Sequence, residues 1–156
     1  MTPSDRRVEA GARALAVTGA VVAADQASKA AVVASVARGH TAQALPFLDL
    51  ANVRNRGIAF GLFGSANSML IAVTILILVG ILAYLSQGGT GPRFWLSGGL
   101  LLGGAISNLA DRVRIGSVID WIDLPVWPTF NLADAAIVAG VLCLVLLSPD
   151  TGGEDP

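Results

Sequence analysis

The sequence predicts an all-α membrane protein, a bundle of four membrane-crossing helices, and three observations predict it. The first is composition. Of the residues 54% are hydrophobic and 13% charged, and the mean hydropathy is +0.69, whereas a soluble domain carries about 25% charged residues. The second is that the apolar residues gather into four runs, at about residues 12–37, 65–86, 94–110 and 133–147. The third is that the polar residues within and beside those runs fall at alternating ends, so an antiparallel bundle collects them on one face.

The 156 residues fit one compact unit, expected over 1–148, with an acidic, disordered tail at 149–156. A net charge of −1 gives no basic surface for nucleic acid. The lone cysteine, Cys143, lies in an apolar run and cannot form an internal disulfide, so it reads as a packed thiol.

Run one is apolar except for Asp25 and Lys29. Arg6, Arg7 and Arg13 before its alanine-rich start imitate a secretory leader. Cleavage of such a leader would discard Asp25 and Lys29, and a permanent helix is expected instead. Run two carries no charge, and it alone fully meets the roughly 20 apolar residues that a crossing needs. Run three contains Gly98, Gly99, Gly103 and Gly104, small residues that let helices approach closely in lipid. Run four opens beside Asn131 and Asp134. The connections 40–64 and 111–132 then lie on the same side as the end of run one, the end of run three and the start of run four.

Ionisable residues in membrane helices are costly, and each is a candidate for function. Asp25 and Lys29 are four apart, on one helical face. They suit either an ion pair that only stabilises the bundle or part of a site. Asn108, Asp111 and Arg112 share a face at i, i+3 and i+4, and suit either a site or a helix end that solvates its own charges. Asn131 suits a helix N-cap, with Asp134 three residues on at the positive end of the helix dipole.

Chemistry narrows the choice. His40 is the single histidine and lies in a loop, so a zinc site is not expected. Ser28 and Lys29 point to different faces of one helix, which argues against a Ser–Lys dyad. Aspartates remain: Asp25, Asp111, Asp120, Asp123 and Asp134 all fall near the shared face. Two close carboxyls resist double ionisation, and one keeps a proton. Such a pair hydrolyses an amide without metal or cofactor: the ionised acid takes a proton from water while the neutral acid hydrogen-bonds the carbonyl. A small transporter of cations or protons would also place acids in helices, as would a purely structural membrane subunit. Both stay open at this point.

Four blocks in order make the resemblance specific. They are Asp25-Gln26-Ala27-Ser28-Lys29; Asn55-Arg56-Gly57-Ile58-Ala59-Phe60-Gly61; Gly104 to Arg112, continuing through Gly116-Ser117-Val118-Ile119-Asp120-Trp121; and Phe130-Asn131-Leu132-Ala133-Asp134. Together, over about residues 12–147, they resemble the lipoprotein signal peptidase (signal peptidase II) family. The resemblance implies an aspartic endopeptidase with Asp120 and Asp134 as catalytic dyad and no metal or cofactor. It implies that Asp25, Lys29, Asn55, Gly57, Asn108, Asp111, Arg112, Asn131 and Ala133 support the site or hold substrate. Trp121 stands where the family more often has Phe. Asp123 rivals Asp120, and the Gly-x-Val-x-Asp-aromatic spacing favours Asp120. Thirteen residues separate the dyad members, and residues 127–130 are expected to turn the chain back toward the membrane.

The implied substrate is a prolipoprotein already diacylglyceryl-modified on its lipobox cysteine, cleaved just before that cysteine. The implied setting is the bacterial cytoplasmic membrane, with the site toward the periplasmic face, lipid chains between the helices and both termini in the cytoplasm. The implied partners are these substrates and membrane lipids, with a monomeric enzyme. A small periplasmic β element is expected between helices one and two, where residues 45–54 suit short strands. Charge does not decide orientation: Arg6, Arg7, Arg13 and Arg93 fall on one face, and Arg38, Arg54, Arg56, Arg112 and Arg114 on the other.

Overall fold

The computed structural model describes residues 1–57, 66–87 and 89–147. Ile58, Ala59, Phe60 and Gly61 of the second block, the expected start of run two at Ser65, and the expected tail at 149–156 lie outside the described residues.

The described residues form helix α1 (Pro3–Ser35), strands β1 (Thr41–Leu45) and β2 (Leu48–Asn55), helices α2 (Ala66–Ser86) and α3 (Pro92–Ile115), strands β3 (Val118–Leu124) and β4 (Trp127–Phe130), and helix α4 (Leu132–Leu146). Helix α1 begins nine residues before the expected position 12. The reason is local: Pro3 occupies the first turn, and Thr2 and Asp5 form a reciprocal capping box that satisfies two otherwise orphaned amides. Helix α3 runs past residue 110 to Ile115 and stops at Gly116, whose φ of 70° closes it in the left-handed conformation. An Asn131–Asp134 capping box starts α4.

The expected β element lies between the first two helices, but it is only half of the sheet. All four strands form one antiparallel sheet in the order β1-β2-β3-β4, so the connection after α3 contributes as much as the one after α1. Residues 127–130, expected as a turn, are strand β4, and the turn falls at Pro125 and Val126. Val118-Ile119-Asp120-Trp121-Ile122 is rich in β-branched and aromatic residues, which suits a pleated surface. Pro128 is tolerated because β4 is an edge strand.

Helix α3 is the centre of the bundle and packs against α1, α2 and α4. Glycines allow this. A side chain at Gly99 would meet the Ala14 carbonyl oxygen at 2.8 Å, and one at Gly104 would meet that of Ala133 at 2.4 Å. The distribution of polarity is inverted. Asp25, Lys29, Ser107, Asp111 and Asn131 are buried, while Leu76, Val79, Val138 and Val145 are exposed. Among the described residues one helical stretch, Ser68–Ser86, is long and apolar enough to cross a membrane by itself, and α4 is apolar but shorter.

Candidate active site

The site begins with one buried cation. Lys29 has three N–H donors, and each has an acceptor: Asp25 Oδ2 at 2.6 Å, Asp111 Oδ2 at 2.9 Å and Asn108 Oδ1 at 3.2 Å. Helical spacing puts Asp25 one turn before Lys29 on α1, and α3 supplies Asn108 and Asp111 one turn apart on its facing side. The two acids are themselves filled. Asp25 accepts from Ser107 Oγ at 2.7 Å and from the Ala133 backbone N–H at 2.9 Å. Asp111 accepts from the Ile119 N–H at 3.2 Å and from Gln26 Nε2 at 3.0 Å. Asp25 thus holds the first turn of α4, where a negative charge is favoured, and Asp111 holds the start of β3.

That platform fixes two other carboxyls of a different kind. Asp120, in β3, accepts from Asn131 Nδ2 at 2.8 Å and from Asn55 Nδ2 at 2.9 Å. Asp134, in the first turn of α4, accepts from Asn108 Nδ2 at 2.8 Å and from the Asn131 backbone N–H at 3.3 Å. The hydrogen bonds given to this pair come from neutral amides, whereas Asp25 and Asp111 sit on an ammonium. Asn131 joins the two: its side-chain amide donates to Asp120, and its Oδ1 accepts from the Asp134 N–H at 2.9 Å. Asn108 ties the pair to Lys29.

Electrostatics follows from this placement. Burial pushes the Asp120 carboxyl above its ordinary range, and the neighbouring Asp134 charge adds to the rise. The amides of Asn55 and Asn131 and the charge of Lys29 act against it. Asp120 is 2% exposed and Asp134 half-buried. Arg112, half-buried on α3, lies within electrostatic reach of Asp134, Asp120 and Asp111. Asn55 is exposed at the end of β2, and its Oδ1 accepts from the Gly57 N–H at 2.9 Å. Gly57 has a φ of 72°, a conformation that favours glycine.

Beside the pair lies a cavity of about 230 Å³. Ile77, Ile81, Leu101 and Ile137 form its apolar wall, and Arg112 and Asp134 its polar end. A second cavity, near Arg7, Leu85 and Trp95, lies at the other end of the bundle and has no carboxylate among the described residues of its lining.

The structure therefore brings Asp25, Lys29, Asn108, Asp111, Asn131, Ala133, Asp120, Asp134 and Asn55 into one hydrogen-bonded network, with Gly57 bonded to Asn55 and Arg112 beside it. Asp123 stands apart. It accepts from Thr129 and pairs across the sheet with Asp49. His40 is exposed in the loop after α1, and no group of three or more His, Cys, Asp or Glu suited to a metal occurs among the described residues. Sequence reasoning missed Gln26 and Ser107. Ser107 is fully buried and bridges Asp25 to Gln26. Its position one turn before Asp111 was the available signal.

Known proteins resemble this chain in sequence and in fold. The family model described as signal peptidase (SPase) II matches residues 17–148. The lipoprotein signal peptidase of Moorella thermoacetica is 45% identical over 114 residues, 70% of this chain and 76% of that protein. That of Pelotomaculum thermopropionicum is 40% identical over 126 residues, 80% of this chain and 83% of the relative. A solved bacterial membrane enzyme superposes with a TM-score of 0.81 at 28% identity, covering 88% of this chain and 94% of that one.

Proposed function

The chain belongs to the signal peptidase II family, and from that premise we propose that it is a membrane-embedded aspartic endopeptidase that removes signal peptides from diacylglyceryl-modified prolipoproteins, cutting just before the lipidated cysteine. Asp120 and Asp134 are the dyad. The observation that carries this reading is that these two carboxyls accept hydrogen bonds from neutral amides and share Asn131, at the edge of an apolar cavity.

The chemistry uses one proton between two acids. The ionised carboxyl takes a proton from water, and the water oxygen attacks the scissile carbonyl carbon. The protonated carboxyl hydrogen-bonds the carbonyl oxygen and gives it the proton as the tetrahedral intermediate forms. Collapse returns that proton to the carboxyl, breaks the C–N bond, and sends the proton taken from water to the departing amine of the cysteine. Lys29, Asp25, Asp111, Asn108, Asn131 and Ala133 hold the acids in place, and Asn55, Gly57 and Arg112 border the substrate. The cavity wall of Ile77, Ile81, Leu101 and Ile137 suits an acyl chain.

The inverted polarity supports four membrane crossings, with α2 the clearest. Buried ion pairs and exposed aliphatic helix faces suit a lipid solvent. The orientation follows the family resemblance: the site toward the periplasm, with both termini in the cytoplasm. The test is cleavage of a lipidated lipobox peptide in membranes. Wild type should cleave with EDTA present, and Asp120→Asn and Asp134→Asn should each lose roughly 10²–10⁴-fold or more. Ion flux without cleavage would instead favour a transporter.

A further inference from the structure

We propose that a groove on the opposite side of the sheet rim from the dyad, carrying Arg54 and Arg114, holds the phosphate diester of an anionic membrane lipid. Strand alternation makes the separation. Val53 pairs with Asp120 and Arg54 with Ile119, and successive side chains of a strand point to opposite faces. Asp120 and Asn55 therefore face the dyad side, while Arg54 and Ile119 face the groove. The groove, of about 230 Å³, runs between α1 and α3, with Ala30, Val33 and Ile115 forming its apolar floor. It is smaller than the roughly 300–1,000 Å³ of sites for drug-sized ligands, and so suits a headgroup and the start of its chains.

The charge there is only partly compensated. Buried Arg54 Nη1 has no hydrogen-bond partner among the described residues, and an orphaned buried donor is expensive. Arg38 lies close enough to push the Arg54 guanidinium below its ordinary range, an effect second to burial, and Asp111 acts against it. Arg114 reaches Asp111 only at 3.8 Å, and that carboxylate is already held by Lys29 at 2.9 Å. Two guanidinium groups thus line the groove, with Arg38 acting on Arg54 through space, against the single net negative charge of the Lys29, Asp25 and Asp111 cluster. A phosphate accepts from guanidinium groups in their preferred geometry. The apolar floor favours a lipid over the free ion, and basic pockets between membrane helices commonly take headgroups.

The proposal rests on the membrane reading above and not on the peptidase chemistry. The test is the thermal midpoint of the full chain in neutral detergent, titrated with phosphatidylglycerol, with phosphatidylcholine or with sodium phosphate. Phosphatidylglycerol should raise the midpoint saturably, and the other two should fail to do so at equal concentration. Arg54→Gln and Arg114→Gln should each weaken the phosphatidylglycerol response roughly tenfold. Arg7→Gln, at the other end of the bundle, should leave it unchanged. Asp120→Asn should bind as wild type, which separates this result from failure of the dyad reading. Arg114 is exposed, so its variant carries the test if Arg54→Gln does not fold. Equal responses to the two lipids, a phosphate response matching phosphatidylglycerol, or unaltered binding in the Arg114 variant would each overturn the proposal.

Discussion

Lys29 and Asn131 organise the site in different ways, and their variants should fail differently. Lys29 neutralises two fully buried carboxylates. Lys29→Ala leaves those charges unpaired, which costs about 3–5 kcal/mol where a buried pair is broken. Its defect should appear as a lowered thermal midpoint, and the folded fraction should cleave better than either Asn variant of the dyad; equal abolition would contradict that ranking. Asn131 caps α4 and bridges the dyad. Asn131→Ala should cost about 0.5–2 kcal/mol as a lost cap and also depress kcat in the protein that stays folded. The proposed dyad also predicts a pH signature. On that mechanism turnover needs one proton on the pair, so it should fall at low pH when both acids are protonated and at high pH when both are ionised. Burial first, and the Asp134 charge after it, raise Asp120. The alkaline limb of kcat/KM should therefore lie above the ordinary carboxylate range. Asn55 donates to Asp120 and favours its ionised form. Asn55→Ala should move that limb to still higher pH, and a downward move would contradict the assignment.

At the scale of elements, the contact between α3 and α4 sets where Asp134 stands. A methyl at Gly104 would lie 2.4 Å from the Ala133 carbonyl oxygen, and backbone cannot yield as a side-chain tip does. Gly104→Ala should push α4 away, cost about 1–3 kcal/mol as overpacking and lower turnover by displacing Asp134. Gly80→Ala, in the middle of α2 with nothing within 4 Å, should be neutral or slightly stabilising. Thermal midpoints and cleavage rates of the two variants make the comparison. The same contact shows what sequence could and could not reveal. Gly98, Gly99, Gly103 and Gly104 were legible as packing residues because four glycines crowd one apolar run. The helices were legible as apolar stretches, but the start of α1 was not, since its Thr2–Asp5 capping box precedes the apolar signal. Strands β3 and β4 were hidden because they are short and interrupted by Asp120, Asp123 and Pro128. Their pairing with β2 is a long-range contact that no local pattern records. In the network, Asp25, Lys29, Asn108 and Asp111 stood out as polar groups at i+3 and i+4 spacings in apolar helices. Gln26 and Ser107 did not, because neither carries a charge that burial would make conspicuous.

For the whole molecule, the inverted distribution of polarity ties orientation to mechanism. The end of α1, the sheet, the end of α3 and the start of α4 all meet at the polar network, so the dyad lies at one end of the bundle and the Arg7–Trp95 cavity at the other. Helix α1, at 33 residues, is about 50 Å long at 1.5 Å per residue. That exceeds a hydrocarbon core of about 30 Å. On the proposed membrane reading, its first turns would project beyond the lipid on the side away from the dyad. A charge count cannot orient this molecule, because arginines stand at both ends, but labelling can. With Cys143→Ala as background, Val126→Cys in the sheet turn should react with an impermeant thiol reagent added outside intact spheroplasts. Ser4→Cys should react only after the membrane is opened. The reverse pattern would put the dyad in the cytoplasm. Substrate lipobox cysteines would then have to be cut on the side from which the precursor has already departed, and the proposed reaction would have no substrate to meet.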